Sequence, residues 1–338
     1  MTTMRDVAAR AGVSGKTVSR VVNGDRYVSA EVRTRVEQAI ADLQYVPDML
    51  ARTFRTGRDR AIGVAVPDIA DAFFGAVVQS VAEHARMAGS AVLVTTLGGD
   101  ADLERPAVES LLRRHVTGLL LAPTAADQSY LRPWQEHTEV VFVDRPPRRA
   151  VADSVVEDDF GGAGTAVRHL VEQGHRRVAF VGRGRSVATT ARRLEGYRSA
   201  LAEAGLPADP DLERPLDGPQ AATATEVLDA LLGLHRPPTA IFSSDSLTSQ
   251  AVLAQLHRRA RTDLAFVSFG DFPMAAALRP SVTVVDQDPA ALGRVAAERL
   301  FQRIESPGRR LKRQLVLPVT LVVRESSQVP VPASRPAG

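Results

Sequence analysis

The chain reads as an all-α head joined to an α/β core of two doubly wound lobes. Three observations carry that reading. Two short helical patterns flank a glycine turn near the N-terminus, and apolar runs of strand length alternate with amphipathic helical stretches from Ala61 onward. Positive charge is also concentrated at the front. Residues 1–60 hold eleven basic and seven acidic side chains, a surplus of four, whereas the whole chain holds 42 Lys and Arg against 39 Asp and Glu. A basic module on a near-neutral partner suits a head that meets phosphates.

The first helix is predicted over Arg5–Ala11, where Val7, Ala8 and Ala11 share one face at helical spacing. Gly12 breaks the pattern, and Ser14 can cap the next helix with its hydroxyl. That helix, Gly15 to Asn23, turns Val18, Val21 and Val22 inward and leaves Lys16, Thr17, Ser19 and Arg20 on its other face. Two short helices joined by a glycine turn form a helix-turn-helix, whose second helix enters the DNA major groove. Ser29 caps a third helix with an apolar stripe of Val32, Val36, Ala39, Ile40 and Leu43. Gly15-Lys16-Thr17 also ends a phosphate-binding loop motif. That motif needs a glycine where Arg10 stands, and a strand rather than a helix before it.

The run RDVAARAGVSGKTVSRVVNG followed by VSAEVRTRVEQAIADLQYVPDMLAR resembles, without gaps, the head of the lactose-repressor (LacI/GalR) family. The resemblance implies a homodimeric DNA-binding regulator, a repressor, that meets a near-palindromic double-stranded operator and is controlled by a small effector. It places Gly15 and Lys16 at the family's variable base-reading positions and Arg20 at a further major-groove contact. Thr17, Ser19 and Asn23 match positions that touch phosphates or brace the helix, and Ser14, the expected cap, is a further candidate for DNA binding. Gly15 has no side chain to read a base, so direct readout shifts to Lys16 and Arg20. Both are suited to guanine, at about 1–3 kcal/mol of discrimination per good contact.

Residues 47–60 are expected to form a hinge helix and linker after a head of residues 1–46. Pro47 pushes Val46 out of helical backbone, Asp48 can cap a short helix to Arg55, and the segment is too short to hold a helix alone. In the family the hinge folds on operator DNA and wedges an apolar side chain into the minor groove. That position falls on Phe54, with Arg52 beside it on the same segment.

The core is expected over residues 61–325. Its strands read as AIGVAV (61–66), AVLVTT (91–96), GLLLA (118–122), VVFVD (140–144), VAFVG (178–182), AIFSS (240–244) and LAFVSFG (264–270). Helical stretches fall near 73–88, 102–114, 128–136, 159–173, 190–204, 220–232, 246–258 and 288–304. This alternation builds parallel sheets with helices on both faces, and a ligand cleft at the carboxyl ends of the strands. The resemblance implies a periplasmic-binding-protein-like core whose chain crosses between lobes near 156–160, 284–289 and 318–323. The Pro- and Ser-rich residues 326–338 read as a disordered tail. Gly182-Arg183-Gly184 lacks the third glycine of a dinucleotide fingerprint and reads as a plain turn.

Polar residues at the strand ends and crossovers are the candidates for effector binding: Asp68, Phe73, Phe74, Asp144, Arg145, Asp159, Arg193, Ser244, Asp271 and Gln287. Arg193 lies in RLEGY, which resembles the family's stretch with an effector-binding arginine. Carboxylates accept from neighbouring hydroxyls and arginine donates in a fork, so these residue types suit a sugar. Asp158 is a candidate cap for the helix that follows, Asp68 can bond within its own loop, and one of the two phenylalanines is expected in the core.

No cysteine is present, so neither a disulfide framework nor a cysteine zinc site is expected. None of the seven histidines pairs with a nucleophile elbow or a metal-ligand spacing, so no catalytic residue, metal or cofactor is expected. Neither an eighteen-residue apolar run nor a signal-peptide apolar region occurs, which leads to the expectation of a cytoplasmic protein with no membrane partner. The alternative is a cytosolic sugar-binding module or sugar-active enzyme with a degenerate head.

Overall fold

The computed structural model describes residues 3–22, 25, 27–45, 61–184, 187–207, 209–216 and 220–331. The chain divides into two compact units, Met1–Arg60 and Ala61–Gly338.

Among the described residues, the first unit holds three helices, α1 (Met4–Ala11), α2 (Gly15–Val22) and α3 (Ala30–Asp42). Thr3 caps α1 reciprocally with Asp6, and Gly12 ends it in the left-handed region at φ 63°. Ser14 Oγ accepts from Thr17 N at 3.1 Å at the start of α2, and Ser29 Oγ caps α3. Val7, Val18 and Val36, one from each helix, are fully buried and pin the three together. Residues 46–60, which include the expected hinge with Arg52 and Phe54, lie outside the described residues, as does Asn23.

The second unit is two-lobed. In the first lobe, β1 (Ala61–Val66), β2 (Ala91–Thr96), β3 (Gly118–Leu121), β4 (Glu139–Val143), β5 (Asp153–Glu157) and β11 (Gln314–Leu317) form one sheet in the order β11-β5-β4-β3-β1-β2. Every pair in it is parallel. Helices α4 (Ala72–Met87), α5 (Glu104–Leu112) and α10 (Pro289–Glu305) pack on this sheet.

The second lobe has the order β12-β10-β9-β8-β6-β7. Its strands are β6 (Val178–Gly182), β7 (Glu213–Pro215), β8 (Ala240–Ser243), β9 (Ala265–Phe269), β10 (Thr283–Asp286) and β12 (Thr320–Val322). Only β12 runs antiparallel to its neighbour. Its helices are α6 (Asp159–Glu172), α7 (Ala188–Glu203), α8 (Gln220–Leu232) and α9 (Ser246–Arg258). Helices cover both faces, so central strands such as β3 and β8 are buried along their whole length.

The chain changes lobe between β5 and α6, between β10 and α10, and between β11 and β12. Three crossovers side by side give the two lobes a shared seam.

Two expectations need correction. The helix expected near 128–136 is a single 3₁₀ turn at Ser129–Leu131, because Pro133 supplies no backbone N–H and the Gln128 amide is tied to Arg148 O at 3.0 Å. The segment from 326 is not a tail at its start. Ser326 and Ser327 are buried. Ser326 Oγ donates to Phe266 O at 2.7 Å and accepts from Thr283 N at 2.8 Å. That one hydroxyl completes main-chain groups of β9 and β10, and Ser327 Oγ meets the side chains of Thr283 and His169, so these serines serve the second lobe rather than solvent. Residues 332–338 lie outside the described residues.

Candidate nucleic-acid interface and interlobe cleft

On α2 the buried residues are Val18 and Val21. Ser14, Gly15, Lys16 and Arg20 are exposed, and Thr17 and Ser19 are half-buried. The helix therefore offers one polar, basic face. Lys16 makes no ion pair among the described residues, and Arg20 has only a loose one, with Nε 3.7 Å from Asp25 Oδ2. Thr17 Oγ1 sits 2.9 Å from Ser14 Oγ, so these two brace the helix start. Nothing lies within 4 Å of where a Gly15 Cβ would stand, so packing does not demand glycine there.

In the core, a narrow cavity, partly open to solvent, lies between the lobes at the carboxyl ends of β1, β4, β6 and β8. Of the residues expected at a ligand site, it gathers Phe73, Phe74, Asp144, Arg145, Arg193 and Gln287. Phe74 is buried in the first lobe's core, and half-buried Phe73 meets it edge-on at 5.0 Å between ring centroids.

Arg193 is the most constrained of these. It is buried on α7. Its Nε donates to Asp159 Oδ1 at 2.7 Å and its Nη1 donates to Ser244 O at 2.6 Å. Its guanidinium carbon stands 3.8 Å from the centre of the Phe269 ring. Burial works against its charge, but Asp159, Asp144 and Glu157 together outweigh burial and hold its pKa above the ordinary value. Asp159 is pushed up to about 6, because burial outweighs the stabilising Arg193 charge.

The other four expected residues do not wall this cavity. Asp159 stands behind Arg193 as its counter-charge. Ser244 is fully buried and contributes its carbonyl to Arg193 and its hydroxyl to Asp245. Asp271 lies in a neighbouring recess with Phe73 and Gln287, where it pairs with Arg324 at 2.7 Å. Asp68 accepts from Ala70 N within its own exposed loop. Asp158 caps α6 through Gly161 N at 2.9 Å.

Sequence reasoning missed Asp71, Glu157, Arg183, Thr189, Thr190 and Ser246, and placed Asp245 at the end of its strand, beside Ser244. Asp71 and Asp245 cap α4 and α9 at the cavity wall. Burial raises the Asp71 pKa. Arg183 Nε stands 3.7 Å from Asp245 Oδ1. Glu157 ends β5 at the first crossover and accepts from Gln287 Nε2, at the second crossover, at 3.0 Å. Burial first, then the neighbouring Asp144 and Asp159, push the Glu157 pKa well up. An acidic residue next to Asp158-Asp159 at an expected crossover was the available signal for Glu157. Among the described residues, no group of His, Cys, Asp or Glu is arranged to hold a metal ion.

Comparison with known proteins agrees with both halves of this picture. Residues 3–48 match the family described as bacterial regulatory proteins, lacI family, and residues 167–327 match a periplasmic binding protein-like domain. The ribose operon repressor of Haemophilus influenzae is 32% identical over 96% of this chain and 98% of its own. The crystal structure of the Lac repressor dimer bound to operator and the anti-inducer ONPF superposes with a TM-score of 0.82 at 26% identity, over 96% of this chain and 99% of that one. A complex of the transcriptional regulator CelR with cellobiose gives 0.68 at 29% identity, over 96% and 100%.

Proposed function

The chain belongs to the lacI family of bacterial regulatory proteins, and from that premise we propose that α2 reads an operator while the interlobe cavity reads a sugar. It is a sequence-specific transcriptional repressor that binds near-palindromic double-stranded DNA as a homodimer and is controlled by a small effector. Repression rather than catalysis is the activity of its relatives, and the cytoplasm, where the operator is, is its place of action.

One observation carries the reading. A single chain that matches a ribose operon repressor along almost its whole length combines an exposed basic helix face with a polar cavity between two lobes. On the operator, Lys16 and Arg20 meet base edges, with Ser14, Thr17, Ser19 and Asn23 at the phosphates. Arg52 and Phe54 act from the hinge. Arg193, fixed by Asp159 and Phe269, offers donors to ligand hydroxyls beside Asp144, Arg145 and Gln287, with Phe73 and Phe74 as apolar walls. Asp271 guards the neighbouring recess.

The test is selection from a random duplex library with full-length protein, followed by sequencing. The expected result is an inverted repeat with half-sites about one helical turn apart, released or tightened by one of a panel of sugars. Flat enrichment with every sugar and nucleobase tried would remove the regulator reading in favour of a sugar-binding module.

A further inference from the structure

Three buried carboxyls and two guanidiniums meet where the lobes join. Asp144 and Arg145 follow β4 in the first lobe, with Arg145 Nε 3.0 Å from Asp144 Oδ2. Asp159 and Arg193 stand on α6 and α7 in the second lobe and bond at 2.7 Å. Glu157 ends β5 at the first crossover and feels both pairs: Asp144 and Asp159 repel its charge, and Arg193 attracts it. Each aspartate has an arginine of its own. Glu157 has none. Its Oε1 accepts from the neutral amide of Gln287, its Oε2 has no hydrogen-bond partner, and the residue is 3% exposed.

Charge balance decides where a proton must sit. With every group ionised, three negative charges face two positive ones in a space that water hardly reaches. Further along the cavity wall Asp71 and Asp245 face only Arg183, so the wider wall adds no surplus cation. A buried carboxylate without a cation takes up a proton rather than stay charged. One proton balances the cluster. Glu157 is the carboxyl with neither a guanidinium nor a second hydrogen bond to hold its charge.

Gln287 ties that carboxyl to the cavity. It lines the cavity at the second crossover, and its amide donates to Glu157. On the reading that this cavity is the effector site, we propose that a neutral effector binds together with a proton, which Glu157 takes up. The effector displaces water from beside Asp144, Arg145, Arg193 and Gln287, all on the cavity wall. An unbalanced negative charge behind them then costs more, so the bound protein holds the proton more firmly than the free one. By linkage, effector affinity is full at acid pH and is lost as pH rises through the range in which only the bound protein keeps the proton.

The test is calorimetry of the full-length protein with D-ribose, D-xylose, L-arabinose, D-glucose and D-galactose, none of which titrates in the range used. The sugar that binds is measured from pH 5.5 to pH 8.5, and at pH 7.5 in both phosphate and Tris, whose different heats of ionisation reveal proton uptake. Affinity is expected to fall about threefold or more across the range, by no more than about tenfold per pH unit, with uptake of part of one proton. Among the described residues no histidine lines the cavity, so the carboxyl cluster is the source. Glu157→Gln leaves two carboxyls facing two guanidiniums. Its affinity is expected to stay level with pH and its proton uptake to vanish. Glu157→Met, also without an ionisation, is the second variant if the first does not fold. Infrared spectra of the ligand-free protein at pH 6 are expected to show the C=O band of a buried carboxylic acid that the variant lacks.

Level affinity in the wild type, proton release in place of uptake, an unchanged pH slope in the variant, or the same infrared band in both proteins overturns the proposal. Silence from all five sugars overturns it together with the sugar reading of the cavity. Operator selection with the wild-type protein keeps the failures apart. A protein that finds its operator and binds a sugar equally well across the pH range remains a sugar-responsive regulator and loses only the proton link.

Discussion

Arg193 is held in place by a buried counter-charge, a carbonyl and an aromatic face, so its substitution disturbs both binding and stability. Arg193→Ala is expected to abolish the effector response. It also leaves Asp159 buried without the cation that bonds it, a change that costs about 3–5 kcal/mol when one partner of a buried pair is removed. The loss shrinks as pH falls towards about 6, because Asp159 deprived of Arg193 takes up a proton at higher pH than it does in the wild type. Thermal melts of wild type and variant at pH 5 and pH 8 check this: equal gaps at the two pH values contradict it. Glu157 gives a second pH signature. Its folded-state pKa lies above the unfolded value, so its contribution to stability is full below the ordinary glutamate pKa and is lost as pH rises through the folded pKa. Gln287 supplies its hydrogen bond, and Asp144, Asp159 and Arg193 supply the surrounding charge. Glu157→Gln removes the ionisation, so its melting temperature is expected to gain on wild type between pH 5 and pH 8. A constant difference between the two proteins across that range is the contrary result.

At the scale of elements, the first lobe depends on helices that approach closely. On α10, a Cβ at Gly293 would stand 2.5 Å from Val77 O and 3.0 Å from Ser80 Cβ on α4. Ser80 Oγ also donates to Ala290 O at 2.7 Å, which locks the two helices together. Gly293→Ala is expected to cost about 1–3 kcal/mol by overpacking, despite the better helix propensity of alanine. Urea denaturation of the core measures it, and an unchanged midpoint would mean the helices slide apart freely. The same packing explains which elements could be read from the sequence. AIGVAV, AVLVTT and VAFVG are unbroken apolar or β-branched runs and form β1, β2 and β6 over those same residues. β5 was not read as a strand because DSVVE carries charges at both ends for other purposes. Asp153 pairs with Arg299 and Arg303, and Glu157 bonds Gln287 across the crossovers. β10 (TVVD) and β12 (TLV) are short and each opens on a threonine, so neither shows the unbroken apolar run that marks β3. In the cleft, strand-end residues such as Asp144 and Arg145 were legible because topology fixes where strands end. Thr189 and Thr190 were not, because they enter the cavity from the first turn of α7 and look in sequence like any helix start.

For the whole molecule, the division into a basic head and a two-lobed core separates two tasks, reading DNA and sensing a ligand, which must then be coupled. The coupling is a free energy shared by both sites, so it acts equally in both directions. If the effector weakens operator binding by some factor, the operator-bound protein must bind that effector more weakly by the same factor, typically about 5–150-fold. A co-repressor obeys the same equality with the sign reversed. Two titrations check this on the full-length protein: operator affinity at zero and saturating effector, and effector affinity with and without saturating operator. The two ratios are expected to agree. A strong effect of sugar on operator binding, with no effect of operator on sugar binding, would mean the sugar acts elsewhere than on a two-state equilibrium linking cleft and head. Arg145→Met sharpens the comparison, because it is expected to weaken both effector affinities while leaving their ratio close to that of wild type. A variant that changed the ratio itself would place Arg145 in the lobe movement and not only in ligand recognition.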